Sequence, residues 1–256
     1  MSAATAALVP EPAEIVGKQS FALDVHAYAL RVVDPAARPR FAFVPGQFNM
    51  VYVPGVGEVA ISISSDPEDD LLEHTIRIVG RTTRAIAALG VGDVLGLRGP
   101  FGRGWPLLEA VGKDVVIVTG GLGCAPVVSV INYLVRRRER FGRLIIMQGV
   151  KHSNDLIWRD QYEHWAQLPD TQVLLAADVG GPVWSWHVGP VTVLFDKVEV
   201  NPERTLVMMC GPEAMMRAAA RNLLDRGVPE NALWLSLERN MQCGVGHCGP
   251  TRNRPW

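Results

Sequence analysis

Two cysteines near the C-terminal end of the sequence have the spacing of iron ligands. The run 238–249 contains Cys243 and Cys248, with four residues between them, two of them glycine. Small residues let backbone N–H groups approach sulfides while thiolates bind iron, so Cys-x4-Cys is typical of a loop around a [2Fe-2S] cluster. Such a site continues with a third cysteine, which would fall where Thr251 stands. The sequence therefore predicts an incomplete metal site at Cys243 and Cys248.

Two thiolates cannot fill the four ligand positions of a cluster, and several interpretations remain open. His247 and a partner subunit could supply the missing iron ligands. The cysteine pair could instead bind zinc together with ligands from a partner. The other interpretations are a cluster that has been lost and a chain that the gene model has truncated.

Composition and charge exclude several classes of protein. The 256 residues, 48% of them hydrophobic, suit two domains of ordinary size. A net charge of −1 provides no electrostatic footprint for nucleic acid. Residues 1–14 lack the basic start and apolar core of a signal peptide, and no stretch of 18 uncharged apolar residues occurs. Four cysteines in a chain of this length do not form a disulfide framework, which indicates a cytoplasmic protein. Together with the lack of a long apolar stretch, this predicts a protein without a membrane span.

Residues 15–104 have the pattern of a small antiparallel β-barrel. Short hydrophobic runs are punctuated by proline and glycine, as in barrels and sandwiches. The expected strands are 19–33, 46–53, 59–64, 74–79 and 93–97. One helix is expected over 84–89, capped by Thr82 or Thr83 and ended by Gly90. Residues 1–14 are interpreted as an N-terminal tail.

Residues 105–240 show strands that alternate with helices. The run 114–119 has the apolar character of a strand covered on both faces, and Pro126 suits the first turn of the next helix. Further strands are expected at 144–150, 172–176, 205–210 and 232–237, with helices at 158–168 and 213–226. The sequence thus predicts a β-barrel followed by an α/β domain with a doubly wound parallel sheet. Residues 241–256 form the tail with the incomplete metal site.

A glycine-rich turn connects the first strand of the α/β domain to its first helix. It reads Gly120-Gly121-Leu122-Gly123-Cys124-Ala125-Pro126. Glycines let a backbone turn sharply and approach a pyrophosphate, which the N-terminus of the following helix stabilises. The turn is not a strict G-x-G-x-x-G, and the alternative is a tight connection without a ligand.

A thiol ends a later strand of the same domain. Residues 205–209 lead into Cys210-Gly211-Pro212, and a helix with Met215 in its first turn begins at once. Ligands of open α/β sheets bind at the carboxyl ends of strands, which would place Cys210 beside a bound nicotinamide. The alternative is a buried cysteine that acts as a small hydrophobic residue.

The two turns, in this order after a small barrel, resemble the ferredoxin–NADP reductase superfamily. Its members carry a glycine-rich stretch ending in Ala-Pro and a later Cys-Gly-Pro-x-x-Met. The resemblance implies a flavin on the barrel and a pyridine nucleotide on the α/β domain. It assigns nucleotide binding to Gly120, Gly121, Gly123, Ala125, Pro126, Gly211, Pro212 and Met215.

The resemblance extends to the barrel with two departures. Members carry Arg-x-Tyr-Ser on a strand, and here Ser62 matches the serine while Val59 and Ile61 replace the arginine and the tyrosine. The family's Gly-x-x-Thr turn matches 80–83, and its helix N-terminus would take the flavin pyrophosphate. Arg81 or Arg84 could replace the missing charge, or both could belong to a solvated helix face. The implied FAD-binding residues are Ser62, Ile63, Ser64, Gly80, Thr82 and Thr83.

The cysteine pair after the nucleotide domain narrows the resemblance. It is similar to the gamma (diaphorase) subunit of nickel–iron hydrogenases and sulfhydrogenases, and to the electron-transfer subunit of dihydroorotate dehydrogenase. This implies an NAD(P)H-dependent oxidoreductase with FAD that exchanges electrons with partner subunits of a hydrogenase-type complex. Ser62 and Cys210 are then the catalytic residues, in the sense that they position flavin and nicotinamide.

The alternative function is a docking subunit that has lost its own redox cofactors, as Val59, Ile61 and Thr251 would suggest. The choice between NADH and NADPH is left open by the sequence. Lys151 and Arg159 are candidates for contacts with a 2′-phosphate, and either could instead be solvated.

Overall fold

A computed structural model describes residues 9–237 together with Met241 and Gly244. Its contacts divide these residues into two units. One contains the residues up to Gly104 with Met241 and Gly244, and the other spans Trp105–Leu237. None of the helices in the described part of the chain is both long and apolar enough to cross a bilayer.

The first unit is a six-stranded antiparallel sheet with one α-helix. Its strands are β1 (Glu11–Ala22), β2 (Val25–Val32), β3 (Phe48–Val53), β4 (Gly57–Ser62), β5 (Leu72–Arg77) and β6 (Val94–Phe101), and α1 (Arg81–Ala87) follows β5. A short 3₁₀ helix covers Arg38–Phe41. The strand order is β4-β3-β6-β1-β2-β5, so β4 and β5 are its edges. The core contains Ile15, Val51, Ile63 and Leu97, each fully buried.

The second unit is a six-stranded parallel sheet with helices between its strands. The strands are β7 (Asp114–Gly120), β8 (Leu144–His152), β9 (Thr171–Val179), β10 (His187–Val188), β11 (Thr205–Cys210) and β12 (Leu233–Ser236). The α-helices are α2 (Leu107–Ala110), α3 (Ala125–Arg136), α4 (Arg159–Trp165) and α5 (Glu213–Asp225). Turns of 3₁₀ helix cover Gly121–Cys124, Arg138–Arg140, Ser153–Asp155, Val191–Lys197 and Glu230–Ala232. The order β10-β9-β8-β7-β11-β12 reverses direction at β7, as in a doubly wound sheet. The predicted fold class is confirmed.

The expected single strand over 19–33 is wrong, because the structure has a hairpin of β1 and β2 that begins at Glu11. The register of this pair shifts between Ile15 and Gly17 and again between Ser20 and Ala22. Each irregularity breaks the alternation of buried and exposed side chains, so the period of two that marks a strand is lost from the sequence.

The expected cap of the barrel helix is also wrong. Helix α1 begins at Arg81 with Gly80 as its N-cap, one turn earlier than predicted. Thr83 is the third helical residue, and its hydroxyl accepts hydrogen bonds from the backbone N–H groups of Val79 and Gly80 at 3.0 and 2.9 Å. The threonine therefore stabilises the turn from inside the helix, which the sequence does not distinguish from a cap.

Candidate functional site

The glycine-rich turn has an open face at Gly121. This residue has φ +56°, in the left-handed region, and a Cβ atom built on it would have no other atom within 4 Å. The turn then enters the twelve-residue helix α3, whose N-cap residue makes no side-chain capping hydrogen bond. Space beside a glycine backbone, followed by a helix N-terminus without a side-chain cap, suits a pyrophosphate. Residues of the predicted nucleotide turn therefore fit the group implied for them.

The same turn packs directly against the second predicted element. A Cβ atom on Gly120 would lie 2.5 Å from Sδ of Met215 and 2.9 Å from Cδ of Pro212. One on Gly123 would overlap the carbonyl oxygen of Cys210. Strands β7 and β11 pair in parallel, with Thr119 opposite Cys210. Both turns therefore begin at the carboxyl ends of neighbouring strands. The structure thus brings together the two turns that the sequence selected, and it places the Cys210 side chain in a buried position.

A buried polar network beneath the turn was not predicted. Gln148 on β8 donates from Nε2 to the carbonyl oxygen of Gly121 at 3.0 Å, and its Oε1 accepts a hydrogen bond from the Thr119 hydroxyl. Tyr162 on α4 hydrogen-bonds to the side chains of Thr119 and Cys124, and its burial raises the pKa of the phenol well above the usual value. A glutamine within the apolar run 144–150 is the signal that could have identified this support.

The two candidates for a 2′-phosphate contact differ in their surroundings. The guanidinium of Arg159 lies 4.8 Å from the ring centre of Trp186 and 5.9 Å from that of Trp184. Lys151, near the carboxyl end of β8, is exposed. Arg159 therefore has a cation–π partner already, whereas Lys151 projects into solvent.

The predicted flavin residues on β4 divide into one accessible and two buried side chains. Ser62 ends β4, is half-buried, and its hydroxyl has no hydrogen bond to any other residue in the described part of the chain. Ile63 is fully buried in the barrel core. Ser64 is 1% exposed and donates to Oε1 of Glu73 at 3.2 Å. Of these three side chains, that of Ser62 is the most accessible.

The second predicted flavin element lies at the other end of β4. Cβ on Gly57 would be 3.7 Å from both Nη2 of Arg81 and Oγ1 of Thr82. A strand advances about 3.3 Å per residue, so Gly57 and Ser62 are about 16 Å apart. Two contact points separated by a strand length suit an extended cofactor such as FAD, whose ring and pyrophosphate are joined by a ribityl chain. This spacing is how the barrel residues fit the implied flavin.

The two residues that depart from the family pattern contact the barrel core. Val59 and Ile61, in place of the arginine and tyrosine, pack against the barrel core. The nearly buried guanidinium of Arg98 on β6 is 2.6 Å from Glu58, which neutralises it. Arg81 donates to the carbonyl of Val56 at 2.6 Å, and Arg84 donates to that of Val79 at 3.2 Å. Both are exposed and keep further N–H donors, so they remain candidates for the replacement charge.

The predicted metal ligands Cys243 and Cys248 lie outside the described residues. Between them, Gly244 is described, with φ +78°, and its Cβ position would be 2.9 Å from Cδ2 of Phe101. Within residues 9–237, Met241 and Gly244, no three histidine, cysteine or acidic side chains converge to hold a metal ion.

Comparison with known proteins identifies the family. Residues 117–221 match the family described as Oxidoreductase NAD-binding domain. The chain is 35% identical to sulfhydrogenase 2 subunit gamma of Pyrococcus furiosus over 234 residues, which cover 87% of this chain and 81% of the relative. It is 33% identical to a probable dihydroorotate dehydrogenase B (NAD(+)) electron transfer subunit of Methanocella arvoryzae, covering 80% and 71%.

Among solved structures, a ferredoxin NADP+ reductase from Neisseria gonorrhoeae with bound FAD and NADP superposes with a TM-score of 0.74 at 21% identity. It covers 88% of this chain and 97% of the other. The fold is therefore ferredoxin reductase-like. The chain belongs to the ferredoxin reductase-like family of NAD(P)-dependent oxidoreductases that includes the sulfhydrogenase gamma and dihydroorotate dehydrogenase B electron-transfer subunits. The resemblance predicted from the sequence is confirmed.

Proposed function

We propose that the chain is the electron-transfer flavoprotein subunit of a redox complex. It exchanges a hydride between NAD(P)H, bound by the α/β unit, and FAD, bound by the barrel unit. Bound FAD would supply the conversion between this two-electron step and single electrons passed to or from a partner subunit. The observation that supports this most directly is the open left-handed glycine Gly121, set in a turn packed against the Cys210 turn, in a chain of this family.

The residues of the α/β unit bind and orient, since hydride transfer needs no protein acid or base. Gly121 leaves room for the pyrophosphate, and the N-terminus of α3 stabilises its charge. Gln148 fixes the carbonyl of Gly121, so the backbone of the turn is held before the nucleotide arrives. Cys210, at the end of β11 and next to this turn, sets the position of the nicotinamide.

In the barrel unit, the half-buried Ser62 would contact the flavin ring through its hydroxyl. Thr83 stabilises the turn that begins α1. In this turn, Thr82 and Arg81 would contact the pyrophosphate of the flavin. Thr83 itself donates to the Gly80 carbonyl at 3.2 Å, so its role is to shape the turn.

The partner is an iron–sulfur or hydrogenase-type subunit. The relatives are named as subunits of sulfhydrogenases and of dihydroorotate dehydrogenase B, and partner subunits follow for a chain of their family. Cys243 and Cys248 stay predicted as the two metal ligands of an incomplete [2Fe-2S] site. A cytoplasmic location stays a prediction.

A pair of glycine substitutions tests the nucleotide site. Gly121→Asp places a carboxylate where the pyrophosphate would bind, and the dissociation constant for NAD(P)H should rise about 100-fold, or about 2.7 kcal/mol. Gly112→Asp is the matched control, because Gly112 also has a positive φ of +73° and an open Cβ position in the same unit. Backbone strain is therefore similar in both variants.

Fluorescence titration with NADH and NADPH measures the affinity, and thermal unfolding measures the stability. Both variants should unfold at similar temperatures while Gly121→Asp alone loses nucleotide. Wild-type affinity in a folded Gly121→Asp variant would contradict the assigned site.

A further inference from the structure

Two hydrogen bonds join the edge strands of the barrel sheet where the paired ladders end. The N–H of Ser64 donates to the carbonyl of Glu73 at 2.7 Å. Beside it, Nδ1 of His74 on β5 lies 2.9 Å from the carbonyl oxygen of Ser62, the last residue of β4. A carbonyl oxygen only accepts, so Nδ1 carries the proton. A histidine side chain thus supplies the connection between β4 and β5 at Ser62.

The second ring nitrogen fixes this arrangement. Nε2 of His74 lies 3.2 Å from Nδ2 of Asn49 on β3. In a neutral ring whose Nδ1 is protonated, Nε2 accepts, and the asparagine amide donates to it. Both side chains are fully buried, and this burial lowers the pKa of His74 to about 4. The imidazole is therefore neutral near pH 7 and is held in the Nδ1–H tautomer.

The other face of the asparagine amide has no such partner. Its Oδ1 is buried without a hydrogen bond to any residue in the described part of the chain, and it points at Gly99, where a Cβ atom would overlap it. Leaving a buried carbonyl oxygen unpaired is costly. Among the described residues, the contact from Nδ2 to His74 is therefore the one hydrogen bond of the Asn49 side chain.

The histidine acts on the residue that is predicted to meet the flavin ring. The hydroxyl of Ser62 has no partner among the described residues, so its direction follows from its own backbone. The peptide after Ser62 is held at its N–H, which donates from Ile63 to the carbonyl of Gln47 at 3.0 Å, and at its carbonyl oxygen by His74, while the Ile63 side chain is fixed in the core.

We propose that His74 is a positioning residue of the flavin site, which holds the Ser62 carbonyl through Nδ1–H while Asn49 fixes its tautomer. The inference rests on the proposed function, since it assumes that Ser62 faces bound FAD. Without the histidine, the Ser62 carbonyl loses its hydrogen bond and the following peptide is held only through the Ile63 N–H, so the direction of the Ser62 hydroxyl is less well fixed.

Two amide substitutions separate the nitrogens of the ring. In His74→Asn the amide nitrogen occupies the place of Nδ1 and retains the donor to Ser62. In His74→Gln the terminal group occupies the place of Nε2 and retains only the contact with Asn49. His26→Gln is the control, because His26 lies on β2 of the same unit, is half-buried rather than fully buried, and bonds through Nδ1 to Ser20.

The measurement is the dissociation constant of FAD for each flavin-free protein, followed by flavin fluorescence, together with the visible bands of the bound flavin. His74→Asn and His26→Gln should stay close to wild type. His74→Gln should bind FAD about tenfold more weakly, because it lacks the hydrogen bond to the Ser62 carbonyl. Its flavin bands should also shift. Equal affinities for His74→Asn and His74→Gln would overturn the inference and leave a role in stability alone.

Wild-type protein that binds no FAD would overturn the proposed function and this inference with it, whereas a failure confined to the variants concerns His74 alone. If the variants do not fold, nitrogen NMR of wild-type imidazoles decides. The inference predicts one Nδ1–H tautomer near pH 7 whose Nδ1 signal shifts on addition of FAD. An Nε2–H tautomer, or a signal unmoved by FAD, would contradict it.

Discussion

At the scale of single residues, the protein buries His74 with its imidazole in the neutral form. The pKa of His74 is lowered to about 4 by burial, although the backbone of Ser62 and of Ile61 beside the ring acts in the opposite direction and raises it. In the unfolded chain the same ring titrates near pH 6.5. Between these two values the unfolded state binds more protons than the folded state, so the free energy of unfolding rises with pH.

We therefore expect stability from His74 to be fully present above about pH 6.5 and to be lost as the pH falls toward 4. The slope within this window approaches about 1.4 kcal/mol per pH unit. Urea unfolding of wild type and of His74→Asn across pH 4–7 measures it. The difference between the two proteins should grow with pH, because the asparagine does not titrate.

Glu73, next in sequence to His74, makes this comparison necessary. Burial raises the pKa of its carboxyl, so it opposes His74 by favouring the protonated folded state at low pH. Because Glu73 is present in both proteins, its effect cancels in the difference. Parallel pH curves for wild type and His74→Asn would show that His74 is not a buried neutral ring.

The residue scale also shows a limit of sequence reasoning. The sequence identified Thr83 by type and spacing, and the structure uses its hydroxyl to accept from two backbone N–H groups and to donate to the Gly80 carbonyl. Ser64 was selected in the same way, and it donates to Glu73 inside the barrel. Which way a side chain points depends on partners distant in sequence, such as Glu73, which no local pattern contains.

At the scale of elements, the two nucleotide-binding turns support each other by contact. Gly123 has no room for a Cβ atom because the carbonyl oxygen of Cys210 and Cα of Gly211 lie against it. Overlap with backbone atoms cannot be relieved by a rotamer change, so one turn must move away from the other. The close contact between the two turns therefore requires a residue without a side chain at position 123.

Gly123→Ala should lower the free energy of unfolding by about 1–3 kcal/mol and weaken NAD(P)H binding at the same time. Gly90→Ala is the control, because its Cβ would meet nothing nearer than 3.9 Å and its φ is outside the positive region. Chemical unfolding and nucleotide titration of both variants provide the test. A fully stable Gly123→Ala protein that binds nucleotide normally would show that the turns need not touch.

Elements were predictable where burial is two-sided and local signals agree. Strand β11 has the bounds expected from the sequence, 205–210, since an apolar run followed by Gly-Pro defines both its character and its end. Strand β6 continues through Gly99 and Pro100 to Phe101, beyond the end expected at 97. The two-residue strand β10 pairs with β9 through long-range contacts that leave no periodicity in the sequence.

At the scale of the whole molecule, the order of an antiparallel unit followed by a parallel unit was predictable. The first part of the chain has short hydrophobic runs broken by proline and glycine, and the second has continuous apolar runs. The family follows from the glycine-rich turn and the Cys-Gly-Pro turn, taken in this order. Partner identity has no such signal, because it depends on surfaces of another chain. The preference for NADH or NADPH depends on a few side chains such as Lys151, whose exposed position suits both a phosphate contact and solvent.

The central claim is that this chain transfers electrons between NAD(P)H and its own flavin. The most direct test is an anaerobic titration of the purified chain, reconstituted with FAD, while its visible absorption is recorded. The account predicts a flavin band that bleaches on addition of NADH or NADPH, with the better reductant identifying the physiological nucleotide. A protein that stays colourless after incubation with FAD, or a flavin band that neither nucleotide bleaches, would contradict it and favour a docking subunit without redox cofactors.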